Sequence, residues 1–325
     1  MRRVVGLVAT ALGSFLVVLA LLLRFYVVGE VIKFPLNENT VTTLTATHAS
    51  YFSPGLLQEF TGVSMIDTMT TQGDVAAGSS RVAVWNSFSY LYDSTNKQAF
   101  SYSLQRLAFD RRSAELVNCC GTNISSKKLR VSGLGYVWPF SAQKTTYELF
   151  DTTLLKPQPV SYAGTTTVDG ISTYRYVENV AATRIGMQSL PGTLVGLNDQ
   201  QTVQLGEYYQ GTTTEWVDPV VGDPVREVWS RHLYLVDTSG KDVLNLLNAT
   251  FTTTPGSVAA AASTAKSDDA KVSLLTVVLP ATLGLAGLIL LILGIMMARV
   301  RGEYDYEDDA AVTFVGRRGI EGLSD

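Results

Sequence analysis

Two long apolar runs lie near the two ends of the chain, and neither contains a charged residue. The first covers residues 4–23, and the second, VSLLTVVLPATLGLAGLILLILGIMMA, covers residues 272–298. A helix needs about 20 apolar residues to cross a hydrocarbon layer about 30 Å thick. An unbroken apolar run satisfies its backbone groups in lipid only as a helix. Both runs therefore predict membrane-spanning helices.

The first run has a second interpretation, because a basic start followed by an apolar stretch is also typical of a cleaved secretory signal. However, this run is longer than the roughly 7–15 residues of a signal core, and no small-x-small cleavage site precedes Arg24. The prediction is therefore an uncleaved helix at residues 4–24, preceded by a cytoplasmic stub at residues 1–3.

The arginines beside the two runs predict the topology. Arg3 precedes the first run and Arg299 follows the second. Cytoplasmic flanks carry an excess of Lys and Arg, so both termini are predicted to be cytoplasmic and the protein to lie in the plasma membrane. Residues 25–255 then form an extracytoplasmic domain, and the acidic residues 299–325 form a cytoplasmic tail.

Residues 256–271 join the predicted domain to the second span. Their Ala-rich sequence favours a helix, and Pro255 is tolerated at a helix start. A helix that continues the span outward and a flexible tether are both open interpretations of this segment.

The region between the runs has the alternating pattern of β-strands. From Arg81, RVAVWNSFSYLYD alternates apolar and polar residues, and extended patterning resumes at residues 99–109 after a polar turn. VSYAGTTTV and ISTYRYV flank Asp169-Gly170, which strongly favours a type I′ hairpin turn. A third pair joins EYYQGTTTEWVDP to VREVWSRHLYLVD.

These hairpins predict a mainly β (α+β) domain. Its core would be an antiparallel, curved sheet that curls or packs on itself, flanked by N- and C-terminal transmembrane helices. Two short helices are predicted outside the membrane, at Pro54–Phe60 and at Asp242–Leu247.

Small residues and one proline distinguish positions within the two spans. Ala9/Gly13 and Gly294/Ala298 are spaced by four residues, a spacing that lets helices approach closely. Pro280 is expected to bend the second helix.

Composition excludes several kinds of function. The net charge of −4 gives no basic face for nucleic acid. The only two histidines, His48 and His232, are too few for a zinc site of three or four clustered ligands, and no such motif is present. No nucleophile elbow or phosphate-binding loop occurs. The protein is therefore predicted to have no metal, no cofactor and no conventional enzyme activity.

The two cysteines are adjacent, in Asn118-Cys119-Cys120-Gly121. Outside the cytoplasm they should oxidise, and three outcomes are open: a vicinal disulfide that locks a turn, a bridge between two chains, or a redox switch. Asn118 and Gly121 would support the turn, because glycine tolerates unusual backbone angles.

Several blocks of the sequence resemble a known family. FDRRSAELVNCCG, GYVWPFSAQKTTYELFD, GTTTVDGISTYRY and EWVDPVVGDPV, with both terminal runs, are similar to the PorA-type porin family of actinobacterial two-pass membrane proteins. The resemblance covers nearly the whole chain. It implies an envelope protein with one large extracytoplasmic domain and carries over no catalytic residue. Trp138 departs from the basic or apolar residue expected before Pro-Phe. A weaker likeness is to lipid-carrying half-barrels of the bacterial envelope.

Three functions follow as expectations. The leading one is a membrane-anchored envelope protein whose domain binds a lipid, a glycan or a protein without catalysis. The first alternative is an oligomeric channel, as the family label implies, although a membrane β-barrel would need alternating lipid-facing strands instead of apolar helices. The second alternative is a carboxylate-based enzyme acting on cell-wall glycans. A homo-oligomer is a possible partner state.

Overall fold

The structure, a computed structural model, describes residues 2–196 and 202–299. It forms a helical unit, Met1–Val31 with Ser273–Asp325, and a β-rich unit, Ile32–Val272. The predicted tail at residues 299–325 lies almost entirely outside the described residues. The helices are α1 (Arg2–Leu22), α2 (Val28–Val31), α3 (Pro255–Ser273) and α4 (Leu279–Arg299), with π-helical turns at Leu23–Val27 and Leu274–Val278 and a 3₁₀ turn at Gly192–Val195. The strands are β1 (Asn39–Ser53), β2 (Gln58–Gly73), β3 (Val82–Asp93), β4 (Gln98–Asp110), β5 (Leu116–Val117), β6 (Asn123–Ile124), β7 (Thr146–Asp151), β8 (Lys156–Val168), β9 (Ile171–Pro191), β10 (Thr202–Val217), β11 (Pro224–Val236) and β12 (Asp242–Thr253).

The β-rich unit is one antiparallel sheet that curls. Its strand order is β5-β4-β3-β2-β1-β12-β11-β10-β9-β8-β7, with β6 beside β4. The three predicted hairpins, β3–β4, β8–β9 and β10–β11, are confirmed. Asp169 and Gly170 have φ values of 46° and 82°, as a type I′ turn requires.

Leu134 brings the two ends of the sheet together. It bridges Glu115, just before β5, and also Leu149 on β7. Away from this bridge, two strands of the described chain have outer edges that are partly unpaired. Among the described residues, no strand pairs with the outer edge of β4 before Leu104, and none pairs with the outer edge of β9 after Glu178. The curl is therefore closed at one end, which we call the base, and open between β4 and β9.

Both short helices predicted from the sequence are wrong. Pro54 to Leu57 form a turn, β2 starts at Gln58, and Asp242–Leu247 begins β12. β12 lies between β1 and β11 and bonds to both. Pairing on two sides satisfies the backbone more fully than an isolated helical turn of six residues could.

The concave side of the sheet has two apolar clusters. One fills the base around Trp138, Tyr176, Trp85 and Phe109. The other lies along β1, β2 and β12. A third cluster lies on the convex side, where Ala262 and Ala265 of α3 pack against strand residues. The base of the curl is therefore filled with side chains.

Among the described residues, two segments are long and apolar enough to cross a membrane, Val4–Val31 and Pro255–Arg299, and the first part of the second segment belongs to the β-rich unit. Only 17% of the most apolar window of each is buried, whereas a core helix in a soluble protein buries most of its apolar surface. This exposure is consistent with a location in the membrane.

Helices α1 and α4 approach each other at glycines. An ideal Cβ on Gly13 would lie 2.5 Å from the Leu291 amide nitrogen, and one on Gly294 would lie 2.5 Å from the Thr10 amide nitrogen. Gly6 and Gly287 make similar backbone contacts. The contact glycines are therefore seven residues apart on each helix, a two-turn repeat, whereas the pairs predicted from the sequence are four residues apart.

Pro280 changes the helical hydrogen bonding of the second span in the turn that precedes it. Proline has no amide proton, so the carbonyl of Thr276 loses its usual helical donor. A π-helical turn occupies Leu274–Val278, and Arg24 Nη1 donates to the Thr276 carbonyl oxygen over 2.7 Å. The carbonyl that Pro280 leaves free is thus bonded by the other helix.

We expect Gly13→Ala to destabilise the helical hairpin, because the new methyl group would meet backbone atoms that cannot move aside. Overpacking of this kind costs about 1–3 kcal/mol. Thermal unfolding of the helical circular-dichroism signal in detergent measures it. Gly284→Ala is the matched control, since its Cβ would find only the Ala20 Cβ, at 3.7 Å. Equal melting of the two variants would contradict close packing at Gly13.

Candidate functional site: an acidic belt inside the curled sheet

Four carboxylates and one guanidinium share the concave face of the sheet beyond the apolar base. Glu215 on β10 lies directly opposite Glu227 on β11, and Thr213, two residues before Glu215, lies opposite Glu178 on β9. Residues two apart on a strand face the same side. We call the group the acidic belt; its members are Asp67, Glu178, Glu215, Glu227 and Arg231.

Asp67 lies on β2, and cross-strand pairing relates it to the belt residues of β11. It lies opposite Leu44, which lies opposite Thr253 on β12. The Thr253 hydroxyl oxygen accepts a hydrogen bond from the Glu227 amide over 2.9 Å. This row of cross-strand neighbours places Asp67 on the same concave surface as Glu227.

The belt is only partly hydrogen-bonded. Ser89 donates to Asp67 over 2.6 Å and Trp138 Nε1 donates to Glu215 over 2.8 Å. By contrast, Glu178 Oε1, Glu227 Oε2 and Arg231 Nε are buried and make no hydrogen bond. Buried carboxylate oxygens without donors are costly, so the surroundings of Glu178 and Glu227 favour the neutral form of these two carboxyl groups.

The pKa values follow from this environment. Burial, reinforced by the charge of Asp151, raises the pKa of Glu178 to about 7. Burial and the charge of Glu215 raise the pKa of Glu227 to about 8. Burial also raises the pKa of Glu215 and of Asp67. Because like charges directly opposite on two strands repel, the belt retains protons near neutral pH.

Trp138 connects the belt to the filled base. Its ring stacks on Tyr176 with centroids 3.9 Å apart and meets Tyr147 edge-on at 5.2 Å. Its amide donates to the Gly222 carbonyl over 2.8 Å, and an ideal Cβ on Gly222 would lie 2.0 Å from the Trp138 carbonyl oxygen. Gly222, with φ of 82°, is thus required for Trp138 to approach the loop between β10 and β11.

A second pair of carboxyl groups lies between that loop and α3. Asp218 Oδ2 and Asp269 Oδ1 are buried and accept no hydrogen bond from any amide, hydroxyl or basic group. The two carboxyl groups instead form a hydrogen bond with each other. Two carboxyl groups can bond only if one of them is protonated. Burial and the neighbouring Asp218 raise the pKa of Asp269 to about 6, and burial raises the pKa of Asp223 beside them to about 7.

The residues singled out by the sequence lie apart from the belt. Cys119 and Cys120 are joined by a disulfide after β5, with φ of 60° at Cys120 and 81° at Gly121. The Asn118 side chain exchanges two hydrogen bonds with the Val131 backbone, 2.9 and 2.8 Å long. Arg106 Nε donates to the Cys120 carbonyl over 2.9 Å. The role of this pair stays a prediction.

His232 stacks on Tyr234 with centroids 4.5 Å apart and contacts Gln210 at 3.3 Å, on a strand rather than in a cluster. Throughout residues 2–196 and 202–299, no group of three or more His, Cys, Asp or Glu side chains is placed to hold a metal ion.

The belt itself was missed by sequence reasoning. The sequence does contain a sign of it. Glu178 and Glu215 each lie two residues from a buried apolar or aromatic residue, Tyr176 and Val217, so they point to the same face of the strand. Glu227 is a third charged residue at an inward position. A charged residue at an inward position of a strand is the feature that could have identified it.

Comparison with known proteins gives one family. The family model described as Porin PorA matches residues 5–296, which include both apolar spans and the β-rich unit. No match was found among curated proteins.

Proposed function

Because the chain belongs to the PorA family of porins, we propose that it is a channel-forming membrane protein of the cell envelope. In this proposal several copies assemble through their helical hairpins, and the acidic belt makes the channel selective for cations. The observation that carries the selectivity is the set of four carboxyl groups that share the concave face with a single guanidinium.

The proposed topology follows the basic flanks: both ends are cytoplasmic and residues 25–255 are outside. Two uncharged helices from one copy have too little surface to enclose a water-filled path, so conduction requires an oligomer. Large apolar side chains on both helices are exposed, among them Phe15 at 60% and Leu285 at 63%. That surface is available to lipid and to further copies.

Cation selectivity should depend on pH. The raised pKa values of Glu178 and Glu227, about 7 and about 8, mean that both groups gain charge as the pH rises through that range. We expect the cation-to-anion permeability ratio to increase between pH 6 and pH 9, and Glu227→Gln to reduce the increase. The measurement is the reversal potential across a planar bilayer in a potassium chloride gradient.

Exposed Glu148 provides the control, since Glu148→Gln removes one charge away from the belt and should leave the reversal potential unchanged. Absence of conductance while an oligomer is demonstrated in the bilayer would exclude the channel. Conductance with no pH-dependent selectivity would keep the channel and remove the role of the belt.

A second function is binding of an envelope ligand by the concave interior, without catalysis. One observation favours it: the free edges of β4 and β9 leave the curl open on that side, and Trp229 and Arg231 on β11 are only half-buried. Mass spectrometry of organic extracts from the purified protein tests it for lipids. An extract free of lipid, together with unchanged stability on adding envelope glycans, would argue against this function.

A further inference from the structure

A groove of about 470 Å³ lies on the β-rich unit, away from the acidic belt. It is lined by residues 163–168 of β8 together with Arg175, Trp216 and Arg226. None of the described residues that line it is acidic, although the chain has 29 acidic and 25 basic residues. The groove is therefore a cationic site in an acidic protein.

The groove is built by one row of cross-strand neighbours. Gly164 lies opposite Arg175, Arg175 opposite Trp216, and Trp216 opposite Arg226. Neighbouring strands are about 4.8 Å apart, so the two arginines flank the tryptophan on the outer face. Trp216 also packs in the apolar cluster with α3, which holds its ring in place.

Both guanidinium groups are held by neutral partners. Arg175 Nη2 donates to the Ala163 carbonyl over 2.7 Å, and Arg226 lies 4.7 Å from the Trp216 ring centroid. Neither forms an ion pair with any carboxylate in the described part of the chain. A guanidinium carries five donors, so each arginine retains several for a ligand.

Gly164 and the strand edge keep the groove accessible. The Arg175 Nη2 atom lies 4.0 Å from where a Gly164 Cβ would be, so that any side chain there would approach the guanidinium. β8 pairs with β7 only as far as Ser161, which leaves the later edge without a described strand partner. Lys266 of α3 adds a third cation at the adjoining turn, where it donates to the Asp169 carbonyl over 2.8 Å.

We propose that this groove binds a phosphoryl group, carried either by the headgroup of an anionic lipid or by a soluble phosphate ester. The planar guanidinium group of arginine can donate two parallel hydrogen bonds to two oxygens of one phosphate. The threonine hydroxyls of β8 and the unpaired amides at its edge supply further donors. The site is independent of the channel, because it shares no residue with the acidic belt.

Full-length protein in detergent tests the proposal by calorimetric titration with three probes: inorganic phosphate, glycerol phosphate and a short-chain phosphatidylglycerol. We expect at least one probe to bind and the double variant Arg175→Gln/Arg226→Gln to weaken it at least about tenfold, which corresponds to about 1.4 kcal/mol. Binding of the lipid alone identifies a headgroup as the ligand, and equal binding of glycerol phosphate identifies a soluble ester.

The matched control is Arg130→Gln/Arg184→Gln, which removes the same charge at exposed arginines outside the groove. Its affinity should stay within about twofold of the unaltered protein, well below the tenfold step. The variant Arg175→Lys/Arg226→Lys retains the charge and loses the fork; it should bind with intermediate affinity and replaces the glutamine variant if that one does not fold. Failure of all three probes, or equal losses in groove and control variants, would overturn the proposal.

Discussion

Replacing Trp138 by alanine should lower the free energy of unfolding of the β-rich unit by about 5 kcal/mol. Trp138 is 1% exposed, and its removal leaves a cavity between Tyr147 and Tyr176. It also leaves the Glu215 carboxyl, which is only 9% exposed, without its donor. Cavity and lost donor therefore add in the same direction.

Urea unfolding followed by tryptophan fluorescence measures this effect on the full chain. The chain has four tryptophans, and all lie in the β-rich unit, so the signal excludes the helical unit. Trp138→Phe separates the two contributions, since it retains a stacked ring and removes only the donor; we expect a loss of about 1–3 kcal/mol. Equal losses for Ala and Phe would mean that the ring contributes nothing.

The β-rich unit should become less stable as the pH rises from 5 to 8. The folded pKa of Glu178, about 7, lies above its ordinary value of 4.5. Between these two values the folded state holds a proton that the unfolded state has released. Stability is thus fully present below the ordinary pKa and is lost as the pH rises through the folded pKa, by about 2–3 kcal/mol for this group. Glu227, Asp223 and Asp269 shift in the same direction.

Urea midpoints at several pH values measure the dependence. Glu178→Gln should reduce the slope without abolishing it, because the other raised groups still titrate. Glu148→Gln, at an exposed position, should leave the slope as it is. A stability that rises between pH 5 and pH 8 would show that the belt is ionised in the folded state.

Local patterns allowed the hairpins to be predicted, because a turn such as Asp169-Gly170 depends on the angles that two adjacent residues can adopt. The wrong helix at Asp242–Leu247 shows the limit of that approach. Its residues form a strand because β1 and β11 lie on either side, and β1 is about two hundred residues earlier in the chain. The closure through Leu134 is of the same kind, since it joins three segments that no local pattern relates.

The acidic belt could be predicted only in part. Alternation places Glu178 on the side of Tyr176, and Glu215 on the side of Val217, so their inward direction was readable from the strands. Which carboxylates meet depends on the curl of the sheet, which brings β2 towards β9, β10 and β11. The raised pKa values arise from that meeting and from burial, and neither is a property of a single strand.

The bond between Arg24 and the carbonyl that Pro280 leaves free has a consequence for biosynthesis. The two partners are 252 residues apart in sequence, so Arg24 is synthesised long before its acceptor exists. In the proposed topology the whole ectodomain is exported during that interval, and the guanidinium must meanwhile be solvated by water or headgroups. The hairpin is then completed late, after the second span has entered the bilayer, and a nascent chain that stops before Thr276 has a first span with no partner.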